Sequence, residues 1–145
     1  MTTFLFKTEP GDYSWDDMRR DKRTAWTGVS NPAAQMHMRT ARAGDHVLFY
    51  HTGSDKRIVG LAKVVKGAYP DPERPGTTAA GHTKFVLVDI APVADATTND
   101  ATLAAIKADE RFADFALVKQ SRLSAMAVPP KLDRALRKLA GLPNG

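Results

Sequence analysis

The chain has 145 residues, the length of one ordinary globular domain. Hydrophobic residues make up 43% of it and charged residues 26%, which is typical of a folded chain and excludes an intrinsically disordered one. Its 21 Lys and Arg residues against 16 Asp and Glu residues give a formal net charge of +5, which favours an anionic partner. The sequence contains no cysteine, so disulfides, iron–sulfur clusters and thiol nucleophiles are excluded.

The expected location follows from what the sequence lacks. No apolar segment approaches the roughly 18 residues of a membrane-spanning helix, and the N-terminus does not resemble a signal peptide. We therefore expect a cytoplasmic protein with no membrane partner. No repeat or low-complexity segment is visible, so residues 1–145 are predicted to form a single domain, which we expect to be a monomer.

The predicted elements are short strands mixed with short helices. In chain order they are a strand at Phe4–Lys7, a helix from Ser14 to about Arg20, a helix from Ala33 to about Arg42, strands at Val47–His51, Ile58–Val65 and Phe85–Ile90, a helix after Thr98-Asn99, a strand at Leu123–Val128 and a helix after Pro129-Pro130. The strands are β-branched and aromatic runs between turn residues. The first two helices begin at capping signals, which are Ser14 with Asp17 three residues later, and Asn31 before Pro32. Because strands and helices do not alternate regularly, this order predicts an α+β fold.

The two central strands predict an antiparallel hairpin that is apolar on both faces. Val47, Phe49 and His51 alternate with Leu48 and Tyr50, so each face of the first strand carries apolar side chains. This pattern is typical of a curved sheet or a closed barrel rather than of an open sheet with one wet side.

The sequence offers little support for a metal, a cofactor or an enzyme. None of the four histidines, which are His37, His46, His51 and His82, has the spacing of a metal-binding motif. A Walker loop, a G-x-G-x-x-G segment and a G-x-S-x-G segment are all absent. We therefore predict neither a metal site nor a cofactor, although a catalytic site assembled in space would leave no such motif.

Aromatic and cationic residues are concentrated in the N-terminal third of the chain. Seven of the eleven aromatic residues lie within the first fifty positions, interleaved with Lys and Arg. Stacked rings beside cations are how proteins hold unpaired bases, although each ring alone is better explained as part of the core. Trp26 is the strongest candidate for a pocket wall, because the turn at Gly28 and the capping residue Asn31 follow it.

The chain resembles the EVE domain family in eight segments, which are Phe4–Pro10, Tyr13–Met18, Trp26–Pro32, Gly44–Gly53, Ile58–Val65, Ala68–Pro72, Phe85–Ile90 and Leu117–Val128. EVE domains are PUA-like and related to YTH and ASCH domains. The resemblance implies a mixed, mostly antiparallel β-barrel of five to six strands with short helices around it. Departures from the usual family pattern are Phe4 and Phe85 in place of Trp, Ser30 in place of Arg, and Gln35 and Met36 in the segment Ala33–Met36.

The function that this resemblance implies is noncatalytic binding of DNA or RNA that carries a modified base, such as a modified cytosine. The implied base pocket consists of Trp26, Val29, Ser30, Asn31, Tyr50 and His51. The implied pocket rim or phosphate contacts are Lys7, Thr8, Glu9, Gln120, Ser121 and Arg122. In such a pocket the Trp26 ring stacks on the base and Asn31 hydrogen-bonds its polar edge.

Two other functions remain open from the sequence. A small ASCH-like hydrolase or nuclease, acting on RNA or on modified nucleosides, would use Lys7, Glu9 or His51 for acid–base chemistry. A protein-interaction module would instead use the apolar hairpin.

Overall fold

A computed structural model describes residues 1–144 and has mixed α+β structure; Gly145, the last residue of the predicted domain, lies outside the described residues. The strands are β1 (Thr3–Thr8), β2 (Thr24–Trp26), β3 (His46–His51), β4 (Arg57–Pro70), β5 (Val86–Asp95) and β6 (Ala125–Val128). The helices are α1 (Trp15–Asp21), α2 (Pro32–Met38), α3 (Leu103–Ala108), α4 (Ala116–Lys119) and α5 (Pro130–Ala140), with one 3-10 turn at Glu110–Phe112. None of these helices has the length and apolar character needed to cross a membrane.

The six strands form one curved sheet in the order β2-β5-β4-β3-β1-β6. Strands β1 and β3 run parallel, and every other neighbouring pair is antiparallel, including the predicted β3–β4 hairpin. The predicted α+β class and the mostly antiparallel sheet are therefore confirmed.

The sheet is open, so the barrel that the family resemblance implies is not closed by backbone pairing, and of the two arrangements that the alternation in β3 indicates the closed barrel is not the one found. Within residues 1–144 the strands β2 and β6 form its two edges and are not paired with each other. These edge strands have only three and four residues. Side chains rather than backbone hydrogen bonds bridge the gap at this point, since Trp26 of β2 packs against Phe6 of β1 with 5.5 Å between ring centroids.

Both faces of the sheet are buried, as the alternation in β3 predicts. On one face Phe49 contacts the rings of Trp15 and Trp26, at centroid distances of 5.0 and 5.4 Å. Gly60 lies opposite Phe49 in β4, and a Cβ there would overlap the Trp15 indole, so only glycine lets α1 approach the sheet this closely. On the other face Leu48 is fully buried.

Helix starts agree better with the sequence than helix ends and short strands do. The Ser14 capping box and the Asn31 cap of α2 both form. Helix α2 ends at Met38 instead of about Arg42. Helix α3 begins after Thr102 rather than after Thr98-Asn99, because the Thr98 hydroxyl donates to the Leu139 carbonyl of α5 instead of capping a helix.

Candidate functional site

An open cleft of about 480 Å³ lies where the end of β1 meets β2 and the loop that follows β2. It is lined by Lys7, Thr8, Glu9, Asp12, Tyr13, Thr24, Ala25, Trp26, Thr27, Gly28, Val29 and Ser124. The lining therefore comes from the two sides of the gap between β2 and the β1–β6 pair. A cleft of this volume is large enough to enclose one small organic group.

Trp26 lies at the floor of this cleft and is held by other rings. It is only 7% exposed, and the Phe6 ring packs against it at an interplanar angle of 30°. With so little of its ring free, Trp26 offers no open face of the kind that the stacking prediction requires. Its indole N–H makes no hydrogen bond to another group within residues 1–144. Within the same residues, every fully buried side-chain nitrogen or oxygen does have a hydrogen-bond partner. The indole nitrogen of Trp26 is therefore not fully buried and remains available as a donor.

Tyr13 supplies the more accessible aromatic wall, although we did not include it among the predicted site residues. Its ring meets the edge of Trp26 at 82°, with 6.3 Å between centroids. Its hydroxyl donates to the Asp21 carboxylate over 2.9 Å, and its backbone carbonyl accepts from the Thr8 hydroxyl at 2.8 Å. Burial, with further contributions from Asp21, raises the pKa of the Tyr13 phenol, which stays protonated at neutral pH. Two neighbouring elements thus hold this ring in place.

The mouth of the cleft carries groups of both charges. The Glu9 carboxylate is exposed and accepts from the Gly11 N–H at 3.2 Å and from the Thr52 hydroxyl at 3.4 Å. The Lys7 ammonium is half-buried and donates to the Ser121 carbonyl over 3.2 Å, and this burial lowers its pKa. The mouth of the cleft therefore presents the Glu9 carboxylate, which is held by hydrogen bonds, and the Lys7 ammonium, two residues away in the chain.

The loop after β2 forms the remaining wall and is tied to distant parts of the chain. Gly28 has a φ of 77°, the left-handed conformation that favours glycine. The Val29 carbonyl accepts from the Gln35 side-chain amide at 2.8 Å and from the Arg74 guanidinium at 3.2 Å. The Gln35 side chain also accepts from the Val86 N–H of β5 at 2.8 Å. Within residues 1–144 the N–H groups of Gly28 and Val29 have no partner, so both are free donors.

The structure brings five of the twelve predicted site residues together in this cleft, namely Lys7, Thr8, Glu9, Trp26 and Val29. Asn31 instead caps α2, since its side-chain oxygen accepts from the N–H groups of Ala33 and Ala34 at 2.8 and 3.1 Å. Ser30 lies on the far side of the loop, where its hydroxyl accepts from the Arg74 guanidinium at 3.2 Å. It lines a neighbouring cleft together with Arg74.

Tyr50 and His51 lie outside the lining of the cleft. Tyr50 is 2% exposed, and burial raises its pKa to about 12. The His51 Nε2 accepts from the Trp15 N–H at 2.9 Å, so its Nδ1 carries the proton and donates to Asp55, also at 2.9 Å. Nε2 therefore holds the start of α1, Nδ1 is bonded to the β3–β4 turn, and both ring nitrogens are engaged within the fold.

The predicted segment before β6 contributes differently from what we expected. Gln120, Ser121 and Arg122 are exposed and lie outside the lining, where only the Ser121 carbonyl reaches Lys7. Ser124 lines the cleft instead, and its carbonyl accepts from the Lys7 N–H at 2.8 Å. Among residues 1–144 no group of three or more His, Asp or Glu side chains is arranged to hold a metal ion.

Two solved structures share this fold over almost the whole chain. A protein from Rhodopseudomonas palustris is 40% identical with a TM-score of 0.86, and the match covers 100% of this chain and 97% of that one. Human THYN1, solved in complex with 5-methylcytosine-containing DNA, is 24% identical with a TM-score of 0.82, covering 99% of this chain and 100% of that one.

A more distant likeness extends to a second class of domain. The YTH domain of Zygosaccharomyces rouxii MRB1, solved in complex with N6-methyladenosine RNA, is 16% identical with a TM-score of 0.53. That match covers 99% of this chain and 89% of the YTH chain, and it shows a shared fold.

Sequence comparison points in the same direction. Human thymocyte nuclear protein 1 is 34% identical over 80 residues, which cover 47% of this chain and 36% of the human protein. The chain thus spans less than half the length of that curated relative. The EVE domain model matches residues 2–139, and on this match the chain belongs to the EVE domain family.

Proposed function

We propose that this domain is a noncatalytic reader that binds DNA or RNA by taking one modified base into the cleft between β1 and β2. The observation that carries the proposal is an aromatic cleft of about 480 Å³ in a chain of this family. Two proteins of the same fold were solved with nucleic acid that carries a methylated base, 5-methylcytosine DNA in one and N6-methyladenosine RNA in the other. A modified cytosine is therefore the first ligand to test.

The cleft supplies the contacts that an unstacked base needs. The Tyr13 ring offers an apolar wall, and stacking of a base on an aromatic side chain contributes about 1–3 kcal/mol. The indole N–H of Trp26 and the free N–H groups of Gly28 and Val29 are donors for the ring nitrogen and carbonyl oxygen of a base. These donors are rigid, because Phe6 packs on Trp26 and Gln35 holds the loop.

Binding rather than turnover fits the state of the acid–base candidates. His51 has both ring nitrogens engaged within the fold. The Lys7 ammonium and the net charge of +5 supply attraction for phosphate, which is independent of base identity. Selectivity would then come from the cleft, and general affinity from charge.

The test is a fluorescence-anisotropy titration with labelled DNA and RNA oligonucleotides. Each carries one 5-methylcytosine or one N6-methyladenine, and unmodified strands of the same sequence serve as controls. We expect tighter binding of one modified strand and a loss of about 10-fold in Tyr13→Ala, with Tyr13→Phe close to wild type because the ring is retained. Equal affinity for all strands, unchanged in Tyr13→Ala, would refute the proposal.

A further inference from the structure

We infer that the Glu9 carboxylate determines specificity in this cleft by accepting a hydrogen bond from an exocyclic amino group, so that the domain selects amino-bearing bases over oxo bases. This inference rests on the proposed function, because it assigns one contact within the same cleft. It adds a chemical rule for the base that neither the fold nor the family match contains.

The first observation is that Glu9 is held at the cleft and still has room to accept. One carboxylate oxygen accepts from the Gly11 N–H and the other from the Thr52 hydroxyl. Each carboxylate oxygen has two acceptor sites, so both retain capacity for a ligand donor. The carboxylate also lies against the turn between β3 and β4, where a Cβ on Gly53 would be only 2.6 Å from its Oε2. The tip of Glu9 is thus positioned by three neighbours rather than free in solvent.

The second observation is the separation of donors and acceptors around the cleft. The floor and the loop present N–H donors, from Trp26, Gly28 and Val29. The carboxylates of Glu9 and Asp12 are the charged acceptors in the lining. Of these two, only the Glu9 carboxylate is fixed by hydrogen bonds within residues 1–144. A base bound by donors on one side and by a carboxylate on the other must present acceptors and an amino group together.

Cytosine has this pattern and thymine does not. Along its pairing edge cytosine carries the O2 and N3 acceptors and the N4 amino donor, whereas thymine carries O4, an acceptor, at the position of the amino group and an N3–H donor at the position of the ring acceptor. A carboxylate accepts well from the cytosine amino group but repels O4. Because 5-methylcytosine and thymine share the 5-methyl group, they differ only along this edge, at the amino or oxo group and at N3, and variants of Glu9 separate the contact of the carboxylate from that of N3.

The experiment compares oligonucleotides that differ only in carrying 5-methylcytosine or thymine at one unpaired position. We expect wild type to prefer 5-methylcytosine by about 10-fold. Glu9→Gln should reduce this ratio towards one while retaining measurable binding, because an amide both donates and accepts. Gly53→Ala, which displaces the carboxylate without removing it, should reduce the ratio in the same direction. Circular dichroism verifies that each variant is folded.

Asp12→Asn tests the other carboxylate of the lining, and Glu110→Gln is the matched control, since Glu110 is exposed and lies outside the lining. Glu110→Gln should leave the ratio of the two affinities unchanged. The inference is overturned if Glu9→Gln keeps the wild-type ratio, or if Asp12→Asn abolishes it. Binding that still depends on Tyr13 in that case leaves the proposed function standing, whereas binding of none of the strands, the N6-methyladenine strand included, refutes both.

Discussion

Gln35 connects the stability of the fold to the shape of the cleft, and Gln35→Leu separates its two roles. The side chain is 1% exposed and bridges the Val29 carbonyl and the Val86 N–H, each at 2.8 Å. Leucine occupies a similar volume but makes neither hydrogen bond. The Val29 carbonyl keeps its bond from Arg74, whereas the Val86 N–H is left buried without a partner.

The expected cost follows from these two losses. An unsatisfied buried N–H costs about 1–3 kcal/mol, and the weakened Val29 contact adds about 1 kcal/mol. We therefore expect the free energy of unfolding to fall by about 2–4 kcal/mol, measured by urea denaturation followed through tryptophan fluorescence. For a domain of this length that corresponds to a fall in Tm of about 4–16 °C.

The same substitution should weaken binding of the modified base even where the variant is fully folded, because the N–H donors of Gly28 and Val29 lose their anchor. Leu136→Ala in α5 is the control: it removes a fully buried side chain outside the cleft lining and costs about 2–5 kcal/mol. It should leave affinity unchanged at temperatures where the protein is folded. A Gln35→Leu variant as stable as wild type would contradict the predicted loss of stability. An equal loss of affinity in both variants would contradict the role of Gln35 in shaping the cleft.

Further predictions concern charge. Arg137 is 1% exposed and its guanidinium donates to the Asp133 carboxylate. Arg137→Met leaves that carboxylate without its cation, so the free energy of unfolding should fall by about 3–5 kcal/mol. A loss below about 1 kcal/mol would contradict this prediction. Burial, and then the nearby Arg137, lower the pKa of His46, so the unfolded chain binds a proton at a higher pH than the folded chain does. The free energy of unfolding should therefore be highest above about pH 6.5 and should fall as the pH drops through the pKa of folded His46. This fall should be smaller in His46→Gln. If Lys7 contacts a phosphate, Lys7→Met should reduce by about one the slope of the logarithm of nucleic-acid affinity against the logarithm of salt concentration. Lys131→Met on α5 should leave that slope unchanged.

Local features of the fold were predictable because their causes lie within a few residues. The Ser14 hydroxyl accepts from the Asp17 N–H and the Asp17 carboxylate accepts from the Ser14 N–H, which is the pairing that the spacing predicts. Strand β2 has only three residues, too few for any hydrophobic period to show, and was missed.

The composition of the cleft was less predictable because its walls come from distant segments. Lys7 contacts the segment before β6, which is 114 residues away along the chain. Gln35 departs in sequence from the usual family pattern, and the structure gives it a bridge to Val86, 51 residues away. One restriction was available from sequence alone: Tyr50 and His51 are adjacent in a strand, so they point to opposite faces and do not share one pocket.

The open edge of the sheet and the cleft are the same feature. Strand β2 pairs with β5 on one side, and on its other side it faces the end of β1 without forming a ladder. Trp26 and Phe6 close this gap at its base with a ring contact of 5.5 Å, and the cleft lies above them. Both edges of β1 are already paired, with β3 and with β6, so closure of a barrel would require β2 to pair with β6. The three-residue edge strand β2 therefore leaves the cleft open on this side, while Trp26 at its floor is still part of the core.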